Sequence, residues 1–147
     1  DEILPAVRDG KVAAGLLIHE GQLTYAQAGL TKVFDVGEWW WETYHLPLPL
    51  GGNVVKRALG DKVIKDVAAI LRDSIAYGLA HRDEAVRYSL QWARDMGYEL
   101  ADRFVGMYVN DLTLDYGPDG RRAVELLLDL AAERRLIPRR PQVVFVE

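Results

Sequence analysis

Residues 10–21 read Gly-Lys-Val-Ala-Ala-Gly-Leu-Leu-Ile-His-Glu-Gly. Val12 to Ile18 is a short apolar run behind a Gly-Lys start. Such a run suits a strand buried on both faces, as the strands of a parallel sheet are. His19 then stands just past the strand's C-terminal end, where open α/β sheets bind their ligands. This stretch sets the expected fold class, α/β.

Upstream, residues 1–9 read as the end of a helix, with Ile3, Leu4 and Val7 on one face and Gly10 as its stop. Downstream, residues 23–29 suit a short helical turn before Gly29, and Thr31 to Val36 reads as a second strand. Glu38 to Tyr44 carries three consecutive tryptophans. Pro47 and Pro49 force an extended path, since each disfavours helix in the residue before it. Leu50-Gly-Gly-Asn-Val-Val reads as a strand or crossing segment.

After Gly60 the pattern turns helical. Asp61 is placed to cap a long helix with Val63, Val67, Ile70, Leu71, Ser74 and Gly78 on its inner stripe. Asp83 opens a second, with Val86, Leu90 and Ala93 inward, and Leu100, Phe104, Met107 and Tyr108 mark a third. Asp115 to Gly120 reads as a turn, and a fourth helix is expected over about 121–135, with Val124, Leu127, Leu128 and Ala131 on one face. Pro138 and Pro141 end it before a closing strand, Val143 to Val146. The few strands are apolar and separated, and apolar strands need parallel neighbours with helices on both faces. Part of the sheet is therefore expected to lie outside this chain.

Composition narrows the class. Of 147 residues, 50% are hydrophobic and 27% charged, a globular balance and about one domain's length. The net charge of −4 argues against nucleic acid or an anionic membrane as partner. Arg134, Arg135, Arg139 and Arg140 read as solvated. With no cysteine there are no disulfides, thiolate metal sites or Cys nucleophile. No apolar run reaches the roughly 18 residues of a membrane span, and no signal segment opens the chain, so a cytoplasmic protein is expected. The chain begins Asp-Glu-Ile-Leu without Met, and a cut or processed start is expected.

His19 is the leading candidate for chemistry. An imidazole, with an ordinary pKa of about 6.5, is matched to general-base work at neutral pH. The competing reading is a strand-end histidine bonded to a carbonyl, and on the residues alone that is the commoner case. Glu20 either orients His19, binds a substrate hydroxyl or is a solvated or structural acid, the last being favoured; adjacent strand residues point to opposite faces, which disfavours direct pairing with His19. Trp39, Trp40 and Trp41 lie about 100° apart on a helix and cannot all point one way; core and inter-lobe packing is favoured over one of them lining a pocket wall for a planar ligand. His45 reads as structural and His81 as a helix-end cap. No two histidines have helical metal-ligand spacing. Gly51-Gly52-Asn53 lacks a phosphate-loop signature and suits a backbone crossing or close approach. Tyr108, Asn110 and Asp111 either reach a cleft or a neighbouring chain, or Asn110 or Asp111 caps a helix. With serine only at Ser74 and Ser89, a Ser-His-Asp hydrolase is poorly supported.

Three segments carry a resemblance: Gly15-Leu-Leu-Ile-His-Glu-Gly-Gln-Leu-Thr-Tyr25, Trp39-Trp40 with Leu46-Pro-Leu-Pro-Leu-Gly51, and Tyr108-Val-Asn-Asp-Leu-Thr-Leu-Asp-Tyr-Gly117. In order and spacing they are similar to the 1,4-dihydroxy-6-naphthoate synthase family of the futalosine route to menaquinone. The resemblance covers essentially the whole chain, as the C-terminal portion of such a protein. It implies a two-lobed fold like the type 2 periplasmic binding proteins with the N-terminal portion missing. Residues 1–50 would be a remnant of the second lobe carrying the catalytic histidine, and 51–147 a crossing strand and the helical part of the first. It implies a carbon–carbon lyase that converts cyclic dehypoxanthinyl futalosine to 1,4-dihydroxy-6-naphthoate without metal or organic cofactor, with His19 as the base. The family's early Pro-Cys-Pro-Asn-Asp type motif and its Ser/Thr-rich substrate loops are not in this sequence. The chain alone is therefore expected to be inactive, and to form a homodimer or pair with the missing half. Alternatives are chorismate dehydratase, from which the His19-Glu20 pair points away, a non-catalytic small-molecule binding module, and an isolated folding fragment.

Overall fold

The computed structural model describes residues 2–93 and 96–146. The described residues are mostly helical and divide into two compact units, each built from two stretches of chain. One comprises Asp1–Asp35 with Arg82–Tyr108, the other Val36–His81 with Val109–Glu147.

The first unit holds α1 (Ile3–Arg8), α2 (Gly21–Thr24) running into a 3₁₀ turn at Tyr25–Ala28, α5 (Arg82–Ser89) and α6 (Tyr98–Tyr108). Gly10 and Gly29, at φ 71° and 75°, supply the left-handed stops that end the first helix and the 3₁₀ turn. Helix α1 packs on the 3₁₀ turn, and Gly15 passes so close to α1 that a β-carbon there would overlap the Ile3 Cγ2 methyl. Helices α5 and α6 pack together over Val86, which is fully buried, and Ala101. Arg82 fastens them, with Nε donating to Asp102 Oδ1 at 2.6 Å and a terminal nitrogen to the Asp102 carbonyl at 2.7 Å. Gly106 leaves room for that guanidinium; a β-carbon there would lie 2.8 Å from it. Helix α5 ends at Ser89, short of the expected Ala93, and Ser89 Oγ donates to the Val86 carbonyl.

The second unit holds α3 (Val36–Tyr44), α4 (Asp61–Ala80), α7 (Asp111–Leu114), α8 (Gly117–Glu133) and a 3₁₀ turn at Arg57–Leu59. Helix α4 follows Gly60, whose φ of 81° and ψ of 155° belong almost to glycine alone. Gly60 rather than Asp61 is the capping residue, and Asp61 lies in the first turn, where a negative charge favours the macrodipole. Helix α8 begins at Gly117, inside the expected turn, because Pro118 is pre-set for a first helical turn. Its Gly120 and Ala123 are buried, and Val124, Leu127, Leu128 and Ala131 half-buried. It closes with Leu136 N–H donating to the Ala131 carbonyl and Arg135, at φ 57°, to that of Ala132. That is a Schellman closure with arginine where glycine is usual. The tail returns over the start of α8: the Phe145 ring lies 6.0 Å from that of Tyr116 and 5.4 Å from the Arg121 guanidinium.

Two further expectations need correction. No strand forms among the described residues: 12–18, 31–35, 50–55 and 143–146 carry no ladder, and Val36 opens a helix instead. A strand exists only through hydrogen bonds to a neighbour, and an apolar run encodes burial without naming that neighbour. Leu16, Val33 and Val54 are accordingly 72%, 90% and 97% exposed. The inner stripe expected on α4 is also turned outward. Val63, Val67, Ile70 and Leu71 are all exposed, whereas Ile64, Ala68, Ile75 and Leu79 are half-buried.

Candidate active site

The site is built in the first unit around His19. The segment 11–18 ends there, and His19 takes a left-handed backbone with φ 59°. Histidine is among the few residues that enter this region with modest cost. The turn reverses the chain into α2, with Glu20 as its capping residue at φ −61° and ψ −22°. The His19 carbonyl is held twice by one residue: the Gln22 backbone N–H donates to it at 3.2 Å and Gln22 Nε2 at 3.3 Å. The same Gln22 Nε2 donates to the Tyr108 hydroxyl at 2.9 Å, using the second proton of the amide. Tyr108 closes α6, and Phe104 lies one helical turn earlier with its ring 5.0 Å from that of Tyr108. The His19 ring lies 6.4 Å from Phe104, tilted by 52°. The imidazole itself is exposed.

His19 and Tyr108 are therefore brought together, with Gln22 as the link. Glu20 is half-buried, and its backbone carbonyl accepts from Leu23 N–H at 2.9 Å and Thr24 Oγ1 at 3.2 Å. Among the described residues its carboxylate is not hydrogen-bonded to the His19 ring. Gln22 carried no signal of its own in the sequence; only its place three residues after His19, one turn along a short helix, marks it.

The other candidates have local duties. Asn110 is the capping residue of α7: its side chain accepts from Leu112 N–H at 3.0 Å while its own N–H donates to Thr113 Oγ1 at 3.2 Å. Asp111 lies in that helix's first turn. Of the three tryptophans only Trp40 is core, 3% exposed against 41% and 58% for Trp39 and Trp41. Its ring lies 4.5 Å from Tyr44. The Trp40 Nε1–H is buried with no acceptor among the described residues. His45, at φ 53°, ends α3 with its N–H donating to the Trp41 carbonyl at 2.8 Å. His81 closes α4, its ring stacked 4.0 Å from Tyr77 and its Nδ1 2.9 Å from the Tyr77 carbonyl. Gly52 admits the Tyr116 hydroxyl, which a β-carbon would meet at 2.9 Å. Among the described residues no group of three or more His, Asp or Glu side chains is placed to hold a metal, and no helix is long and apolar enough to cross a membrane.

An exposed imidazole on a fixed turn, flanked by an aromatic ring, can exchange a proton with a small molecule beside it. The sequence pattern of a menaquinone biosynthesis family matches residues 1–133. The chain belongs to this family. It is 43% identical over 146 residues, 99% of its length, to a 1,4-dihydroxy-6-naphthoate synthase of Thermus thermophilus. It is 42% identical over 137 residues to a protein of the same name from Streptomyces coelicolor. It spans 54% and 49% of those proteins, about half the length of the curated relatives it matches. The crystal structure of protein AF1704 from Archaeoglobus fulgidus superposes with a TM-score of 0.88 at 43% identity, over 93% of this chain and 52% of that one. Both family relatives carry the synthase name, which disfavours the dehydratase alternative.

Proposed function

We propose that this chain is the His19-bearing, C-terminal portion of a carbon–carbon lyase that converts cyclic dehypoxanthinyl futalosine to 1,4-dihydroxy-6-naphthoate in menaquinone biosynthesis. The observation that carries the reading is the exposed His19 imidazole on a clamped left-handed turn, in a chain 43% identical along nearly all its length to a synthase of that name. His19 acts as the general base: it takes a proton from the substrate and so starts the carbon–carbon cleavage. A base of this kind contributes about 10²–10⁴-fold in rate. No organic cofactor or metal enters the proposed step.

The whole protein is proposed to be cytoplasmic and to have two lobes of the periplasmic-binding-protein type 2 kind, with the substrate in the cleft. In this reading residues 1–50 belong to the second lobe, and 51–147 are a crossing segment and the helical part of the first. The apolar segments without ladders and the outer α4 face are surfaces suited to the remaining half, or to a second copy of the chain. The chain alone is inactive, because positioning a substrate needs both walls of a cleft.

The test is turnover of cyclic dehypoxanthinyl futalosine by this chain alone, by its mixture with a separately made remaining half, and by the mixture carrying His19→Ala. Release of the naphthoate by the wild-type mixture only supports the lyase and the role of His19. A folded mixture that binds the compound without turning it over favours a binding module.

A further inference from the structure

We infer that Gln22 and Tyr108 are positioning residues: together they hold the left-handed backbone of His19 and so set the direction of its imidazole. The inference deepens the reading of His19 as the base and rests on it. Few non-glycine residues stay at positive φ unless their surroundings over-determine it. Here the surroundings are specific. His19 holds a φ of 59°, and its carbonyl points back at α2, where both Gln22 donors meet it. A backbone N–H alone would leave the turn able to relax, since exchange with water makes one such bond only modestly favourable. The side-chain amide adds a second bond and anchors the turn to a distant element, because its other proton goes to Tyr108, 86 residues on. Tyr108 in turn sits at the end of α6 beside Phe104, the ring against which the imidazole lies. The carbonyl and the ring of His19 are thus both referred to α6, which α5 holds through Arg82 and Asp102. Neither Gln22 nor Tyr108 needs to touch substrate for this role.

The first measurement is solution NMR on this chain. Wild-type His19 is expected to show the strong intraresidue amide–Hα NOE that a positive φ gives. Gln22→Met keeps the side-chain length without donors or charge, and Tyr108→Phe keeps the ring without the hydroxyl. Both are expected to weaken that NOE and to move the His19 ring protons relative to Phe104, while the methyl signals of Val86 stay in place. Absence of the NOE in wild type, or its persistence in both variants, overturns the inference. The second arm uses the mixture with the remaining half. Tyr108→Phe is expected to lower kcat about 10–100-fold at unchanged KM. It is expected to have no further effect on a His19→Ala background, whereas equal losses in both backgrounds would show a merely structural role. If the wild-type mixture has no activity, the lyase reading fails, and the NMR arm still decides the positioning.

Discussion

Gly15 lies where a β-carbon would overlap Ile3 Cγ2 and come within 3.1 Å of Val7 Cγ2. It is not among the glycines at positive φ, so its backbone accepts alanine and space is the obstacle. Gly15→Ala therefore carries two opposing effects. Stiffening the unfolded chain favours folding by about 0.4–1 kcal/mol. Forcing a methyl against α1 costs about 1–3 kcal/mol. The balance is a loss of about 1–2 kcal/mol. Ile3→Ala removes the overlapping methyl, and Val7 then needs only a small shift. In that background the entropic effect is left and Gly15→Ala becomes stabilising by about 0.5 kcal/mol. The expected coupling is about 2 kcal/mol, well beyond the roughly 0.3–0.5 kcal/mol scatter of independent sites. Urea titrations of the wild type, both single variants and the double variant, followed by far-UV circular dichroism with m-values compared, measure it. Equal losses from Gly15→Ala in both backgrounds refute the packing of residues 11–18 on α1, and with it the path by which the chain reaches His19.

Val86→Ala removes two buried carbons at the α5–α6 contact, where Val86 is fully buried. At about 0.8 kcal/mol each plus a cavity cost, the expected loss is about 2–3 kcal/mol in urea titration. Ile70→Glu lies on the outer face of α4, where Ile70 is 69% exposed, and is expected to change this chain's stability by less than about 0.5 kcal/mol. If the remaining half covers that face, the same substitution weakens association in a pull-down of the two halves. The Asp83 carboxyl is held below the usual range by the hydrogen bond from Arg87, 2.9 Å away, and then by that from Tyr98. The Tyr98 phenol is pushed up, first by its hydrogen bond to Asp83 and then by burial. A depressed acid stabilises the fold above its unfolded pKa of about 3.9, and that stability is lost as pH falls through the lower folded value. The raised phenol stabilises below about 10, and its contribution is lost as pH rises through the higher folded value. Asp83→Asn is expected to flatten both limbs and to lower the midpoint of one tyrosine in an ultraviolet titration; an unchanged midpoint refutes the Asp83–Tyr98 bond.

The local signals of the sequence were legible because their physics is local. Gly10, Gly29 and His81 end the elements they were expected to end, since a positive φ or a closing hydrogen bond depends on a few neighbouring residues. That the three tryptophans do not share one environment follows from about 100° per residue; that Trp40 is the one that fills the core does not. The start of α8 was misplaced because Gly117-Pro118-Asp119-Gly120 satisfies both a turn and a helix entry, and only the residues packed on Gly120 decide between them.

What was not legible is what depends on partners distant in sequence. Helix α4 is apolar on two arcs, one through Val63, Val67 and Ile70 and one through Ile64, Ala68 and Ile75. Periodicity identifies both as fit for burial and cannot say which one this chain covers. The apolar runs that carry no ladder pose the same problem: their composition asks for neighbours on both sides, and the described residues supply no strand to pair with them. The site shows the converse. His19 was marked by type and place, yet the groups that fix its direction, Gln22 beside it and Tyr108 far along the chain, form a link visible only once α6 is folded against α5. A candidate base is marked by its residue type; its aim is set by hydrogen bonds to residues that any position could provide. For that reason Gln22→Met, which removes both amide donors and introduces no charge beside the histidine, is a sharper test of this site than the removal of His19 itself.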